Sequence, residues 1–287
     1  MLSPGLAVGP FPSPTPSPEE SGSSLVIKLE LIMFTKILAK LTKSPAPEPV
    51  KTHAEMVDDA LQNALREREH TNPMAGAQVG AKEIYQQLLG GMADEKGVHT
   101  ESLLCALGAL AGYACQASLR AQAVAANMAE TAAFQVVKTT DGKQYFFGDP
   151  LNNLLANSQF SVWALAGGAA QHNGATVLPD LHEIFEHTAS TVGDDGFGIP
   201  RVPENHSACD LPINFLKIIW PELFPTIKRF CPDPAGWPVL YGFAIQEAMD
   251  ASKAVIDPAT ALKIVMESAV PMSKVDLPSL AASLQPH

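Results

Sequence analysis

The sequence predicts a mainly α protein: a multi-helix bundle around a central Ala/Gly-rich helix at about residues 100–133, with one small β-hairpin at about 134–147. Leu103, Leu107, Leu110, Ala114, Ala117, Ala121, Val124, Met128 and Thr131 recur in alternating steps of four and three, which is a heptad seam. Asn-Pro and Asp-Pro pairs stand ahead of several apolar stripes, as helix starts do. Asp141-Gly142 supplies tight-turn chemistry between "FQVVKTT" and "KQYFF", two strand-forming runs.

From the beginning of the chain, six prolines fall between Pro4 and Pro18, with Gly and Ser around them. Such a composition buries no core, so it reads as a disordered tail. It lacks the basic start and continuous apolar run of a secretory signal. Ordinary composition resumes at Met33, which raises the hypothesis that the native chain starts there. In "FTKILAKLTK", Phe34, Ile37, Leu38 and Leu41 share one helical face while Lys36, Lys40 and Lys43 take the other. A basic amphipathic helix can lie on an anionic membrane surface, but one this short is expected to dock on its own domain. "SPAPEPVK" follows as a stiff linker. The expected organisation is therefore a Pro-rich tail, short basic helix and linker over 1–50, then a single helical domain over 51–287.

The helical domain opens on Thr52-His53-Ala54-Glu55, a capping-box pattern. Val57, Leu61, Ala64 and Leu65 follow on one face. Asn72-Pro73 starts a second helix with Ala77, Ala81, Ile84, Leu88 and Met92 in register, and Gly97 as its stop. Around the seam of the third helix nearly every residue is Ala, Gly or Ser, so neighbours can approach from several sides. Its stretch 103–119 carries Gly108 and Gly112 at a spacing that pairs helices in bilayers. It is too short and too rich in Ala and Gly for a span, which needs about 20 predominantly apolar residues.

With a two-residue turn at Asp141-Gly142, Val137 is expected to face Phe146 and Lys138 to face Tyr145. A lone hairpin is marginal in water and must pack on the helices. Asp149-Pro150 is expected to start one helix carrying Leu151, Leu154, Leu155, Val162 and Leu165, ending near Gly174. Seven aromatics and six prolines then crowd residues 211–243. Pro221 and Pro225 each remove a backbone donor, so a broken or kinked helix is expected there. Asp233-Pro234 and Asp257-Pro258 read as later helix starts.

A formal net charge of −11, from 19 basic and 30 acidic residues, argues against a nucleic-acid partner. No pair among Cys105, Cys115, Cys209 and Cys231 has metal or redox spacing, so a reducing, cytoplasmic setting is expected. The nearest thing to a chemical motif is "LPDLHEIFEHTAS", residues 178–190. A zinc-peptidase helix sets its histidines four apart, about 40° around the axis; His182 and His187 are five apart, about 140°. Leu181, Ile184 and Phe185 define the buried stripe, which leaves His182/Glu186 and Glu183/His187 as exposed i, i+4 pairs. A metal reading survives only if the loop 191–210 folds back, gathering Glu183, His187, Asp194, Asp195 and His206. The Gly193–Gly198 turn has no lysine after it, and its two aspartates would repel a phosphate. No G-x-S-x-G elbow, dinucleotide fingerprint or kinase set occurs.

Trp220 and Trp237 are the candidate partner-binding residues, being of a type that dominates interface energetics. The expected function is binding or assembly without catalysis, with an unidentified protein partner or a second copy of the chain. No cofactor is implied, no nucleic acid is expected, and a membrane surface is disfavoured. The rival is a metal-assisted hydrolase built on the His/Asp/Glu set of 182–210.

Overall fold

A computed structural model describes residues 52–277. The tail, basic helix and linker expected over 1–50 lie outside the described residues. The chain divides into two units, residues 1–58 and 59–287. Helix α1 (His53–Glu69) starts one residue after Thr52, as the capping pattern requires. Asn72 then turns the chain, its side-chain oxygen accepting from the Met74 amide at 3.1 Å, and α2 (Ala75–Met92) follows. A small antiparallel ribbon that the sequence reading passed over, β1 (Ala93–Asp94) and β2 (Gly97–Val98), joins α2 to the central helix.

That helix is α3 (Thr100–Ala125), and eighteen of its 26 residues are buried. It packs on α7 (Pro212–Phe230), α8 (Trp237–Ser252) and α9 (Pro258–Met272). It is long and apolar enough to cross a membrane, yet its most apolar window is buried inside the fold. Gly108 and Gly112 explain the close approach: a Cβ on Gly108 would meet the backbone of Val265, and one on Gly112 that of Ala269. Both contacts advance by one helical turn in the same sense, so α3 and α9 cross in parallel with no side chain of α3 between them at these two points.

The expected end of α3 near residue 133 is too late. Asn127 has φ 54°, a left-handed conformation. The Met128 amide bonds back to Ala123 O at 2.9 Å and the Asn127 amide to Val124 O at 3.0 Å. This pair of bonds closes a helix on a left-handed residue, a position Asn tolerates and other side chains resist. Val124 and Met128, assigned to the seam, are therefore exposed. Asn127→Ala is expected to destabilise the protein by about 1 kcal/mol while Asn127→Gly leaves it near wild type, by chemical denaturation.

Strands β3 (Gln135–Lys138) and β4 (Gln144–Phe147) form the expected hairpin, but one residue out of the expected register. Val137 faces Tyr145 and Val136 faces Phe146. The cause is a three-residue loop: the Gly142 amide bonds to Thr139 O and the Thr139 amide to Lys143 O, both at 3.0 Å. Gly142 takes φ 85°, the left-handed position that such a loop reserves for glycine. β3 is exposed; β4 carries the buried Tyr145 and Phe146 onto the turn after α9. There the Phe146 amide bonds to Lys274 O at 2.8 Å and Tyr145 bridges Val275. Gln116, wholly buried in α3, donates to Ser273 O and Val275 O at 2.8 and 3.0 Å.

Two further expectations need correction. The single helix after Asp149 is two: α4 (Asp149–Asn152) widens into a π-turn, and α5 (Val162–His172) restarts on Ser161, whose hydroxyl accepts from the Ala164 amide. Of the broken or kinked helix expected at Pro221 and Pro225, the break is absent, for α7 runs continuously through both. Both prolines lie on its exposed side, where water can satisfy the freed carbonyls. Leu216, Trp220, Leu223, Ile227 and Phe230 hold the opposite side in the core. Asp257 caps α9 as expected, accepting from the Thr260 amide at 2.8 Å. Asp233 caps the short turn Pro234–Gly236 that leads into α8.

Candidate functional site

The sequence-derived metal candidates go to three separate places. Helix α6 (Leu181–Ser190) starts on Asp180, which accepts from the amides of His182 and Glu183, and buries Ile184 and Thr188. His182 pairs with Glu186 at 3.5 Å, as the spacing predicts. Glu183 does not pair with His187; it meets Arg201 at 2.9 Å. The reason lies in α9, where the Glu267 side chain is 2% exposed and binds the same guanidinium at 2.8 Å. Arg201 is thus held over a buried carboxylate and offers its free edge to Glu183, a stronger donor than an imidazole. His187 stays on α6, partly buried.

His206 goes to the start of α3, with Nδ1 3.0 Å from Glu101. Asp194 and Asp195 stand in the turn after α6. Among the described residues no three His, Cys, Asp or Glu side chains converge on one ion position. Glu183 and His206 already have protein partners, so the five candidates do not form one group. The two tryptophans are not at the surface either. Trp220 and Trp237 are 8% and 5% exposed. They sit in an aromatic cluster where Trp220 meets Tyr113 edge-on at 4.8 Å and stacks on Tyr241 at 6.2 Å. Trp237 Nε1 donates to Cys231 O at 2.9 Å. They are core residues of the α3–α7–α8 contact, not a free binding face.

Asp194 and Asp195 line a cleft of about 440 Å³ between the hairpin, their own turn and the end of α9. Its floor is apolar: Tyr145 and Phe197 meet edge-on at 4.9 Å, beside Ile213, Met272 and Val275. Its rim carries Asp141, Asp194, Asp195 and Asp276 against a single lysine, Lys143. Lys143 is 2.7 Å from Asp141, and hydrogen bonds from Lys143 and Thr139 push the Asp141 carboxyl down to about 2. Asp276 meets Arg120 at 3.2 Å. Asp194 and Asp195 make no ion pair among the described residues. Burial raises the Tyr145 phenol, so it stays neutral in the floor.

A second polar cluster surrounds His206. Glu101 takes His206 on one oxygen and His99 Nε2, at 3.4 Å, on the other. His99 Nδ1 is 2.8 Å from Ser102 Oγ, which also accepts the Cys209 amide at 2.9 Å. A cavity of about 550 Å³ is lined by His99, Ser102 and Cys209 together with Met92, Phe215, Ile218 and Ile219. The three-residue spacing from His99 to Ser102 was this cluster's only local sign.

The fold and these sites define a mainly α bundle with a negatively charged, aromatic-floored cleft. Comparison with known protein families, with curated proteins and with solved structures found no match.

Proposed function

We propose that the protein acts by binding a partner protein, taking a lysine- or arginine-bearing apolar segment into the cleft between the hairpin and the end of α9. The observation that carries this reading is the composition of the cleft: four aspartates and one lysine over an apolar floor. A cleft of this size with apolar walls and a few charged groups has the usual make-up of a binding site. Asp194 and Asp195, without ion-pair partners among the described residues, would meet the cation, and the Phe197 ring adds a face that attracts one. Phosphate-bearing partners are disfavoured by the same charges. The four free cysteines support a reducing, cytoplasmic setting.

The test is calorimetric titration with a synthetic peptide of alternating leucine and lysine. The expected result is one peptide per chain, weakened by added salt and weakened about 10-fold by the double substitution Asp194→Asn, Asp195→Asn. A matching leucine–glutamate peptide is expected not to bind. Equal binding by wild type and the double variant would sink the reading.

A further inference from the structure

We propose that Ser102, His99 and Glu101 form an acyl-transfer site at the start of α3, acting on esters with a short apolar acyl group. It lies apart from the cleft residues, and neither reading depends on the other. A hydroxyl nucleophile needs a base within hydrogen-bond reach and a third group that orients the base. Here His99 Nδ1 is 2.8 Å from Ser102 Oγ, and Glu101 Oε2 is 3.4 Å from His99 Nε2. The carboxylate near Nε2, an ion-pair contact and not an aligned hydrogen bond, favours the ring proton on that nitrogen, which leaves the Nδ1 lone pair toward the hydroxyl. Glu101 is itself fixed by His206 at 3.0 Å, and its side chain is only 14% exposed. The Cys209 amide donates to Ser102 Oγ, which favours developing negative charge on that oxygen.

The remaining requirements are a place for the acyl group and donors for the oxyanion. Ser102 is 1% exposed, but it and His99 line the same cavity of about 550 Å³. The rest of the lining is apolar at Met92, Phe215, Ile218 and Ile219, with Asp94 as its one further charged group. The first amides of α3 have no carbonyl one turn back to bond, and the helix dipole places partial positive charge at the same end. His99, at the cap position, makes no side-chain bond to these amides. Its ring is turned to Ser102 and Glu101 instead.

In the reaction Ser102 Oγ forms a bond to the ester carbonyl carbon while its proton passes to His99 Nδ1. Collapse of the tetrahedral intermediate breaks the carbon–oxygen bond to the alcohol, which leaves with that proton. Water, deprotonated by the same nitrogen, then attacks the acyl carbon; the bond to Ser102 Oγ breaks, the proton returns from His99 to that oxygen, and the carboxylic acid is released. Ser102 and His99 are the catalytic residues; Glu101 and His206 are positioning residues.

The experiment treats the full-length protein with an alkyl fluorophosphonate, whose phosphorus Ser102 Oγ would attack with loss of fluoride, and locates the added mass by fragmentation. One label per chain on Ser102, with turnover of p-nitrophenyl butyrate, is expected. His99→Gln, at an exposed position that leaves the buried hydroxyl in place, is expected to slow labelling by about 100-fold or more. Ser102→Ala is expected to abolish it, with a thermal melt to verify folding. His206→Gln is expected to shift the pH profile of labelling, which a purely structural histidine would leave in place. An unlabelled protein, a label found on Cys209 or any residue other than Ser102, or an undiminished rate in His99→Gln overturns the proposal.

Discussion

Gly112→Ala is expected to destabilise the protein by about 3 kcal/mol, read as a lower midpoint in urea with an unchanged slope. In an isolated helix the same change is favourable by about 1 kcal/mol, so the sign of the effect is itself the test. The reason is the α3–α9 crossing. A methyl group on Gly112 would lie 2.7 and 2.8 Å from the carbonyl carbon and Cα of Ala269, and closer still to its oxygen. Those are backbone atoms of a buried helix, not the far end of a side chain that can swing aside. The two helices would have to separate, and Gly108, packed on Val265 in the same seam, would lose contact with them. Gly90→Ala is the control: nothing lies within 4 Å of a Cβ at that exposed position of α2, and a small gain in stability is expected there. Destabilisation by both, or by neither, would mean that the crossing is not held by the glycines.

Lys274→Met is expected to stabilise the protein by about 2 kcal/mol at pH 7, raising Tm by about 4–8 °C. Lys274 is 1% exposed. Its ammonium is held by Asn152 Oδ1 at 3.1 Å and lies 5.4 and 5.6 Å from the rings of Phe147 and Phe185. No carboxylate pairs with it among the described residues. Burial pulls its pKa down to about 8, a shift worth about 3 kcal/mol against folding in the protonated state. The loss of the Asn152 bond and the ring contacts offsets about a third of that. The sign with pH follows from proton counting. Between about pH 8 and the ordinary lysine range near pH 10.5, the unfolded chain holds a proton that the folded chain has released. Stability contributed by this group therefore rises across that window. Burial pushes the thiols of Cys105, Cys115 and Cys231 up to about 11, 12 and 12, which acts in the opposite direction above pH 9. The measurement is accordingly the difference between variant and wild type, in which Cys105 and Cys231 cancel while Cys115 loses the downward pull of the Lys274 charge: full below pH 8, and falling away toward pH 10.5. A variant less stable than wild type would show that the ammonium is compensated in place.

The parts of the fold that could be read from sequence are those fixed within a few turns of chain. The central helix was legible because small residues on every side, not only along the seam, announce burial all round. Its end was not, because the apolar spacing runs on past Asn127 and only the local backbone says stop. In α7 the prolines outweighed the regular stripe from Leu216 to Phe230, though a proline on the wet side of a helix removes a bond that water can replace. The hairpin was legible from Asp141-Gly142, but its register depends on whether Thr140 joins the loop. Both candidate sites were out of reach for a different reason. The cleft is assembled from residues near 141, 194 and 276, and the contact of Glu101 with His206 spans 105 residues. Neither of these long-range contacts leaves a spacing in the sequence; only the run from His99 to Ser102 is local.

The turn after α9 has a consequence for how the chain comes together. Gln116 in the central helix accepts locally from Arg120, but its side-chain nitrogen waits for Ser273, 157 residues later, before it has an acceptor. Arg120, which also meets Gln116 and Glu130 nearby, reaches Asp276 over 156 residues, and Phe146 waits for Lys274. Contacts so distant in sequence form slowly, because a long loop must close before anything rewards it. On the ribosome the hairpin can therefore form its own ladder early but gain its docking surface only after residues 273–276 have emerged, which makes the assembly of that cleft a late event in biogenesis.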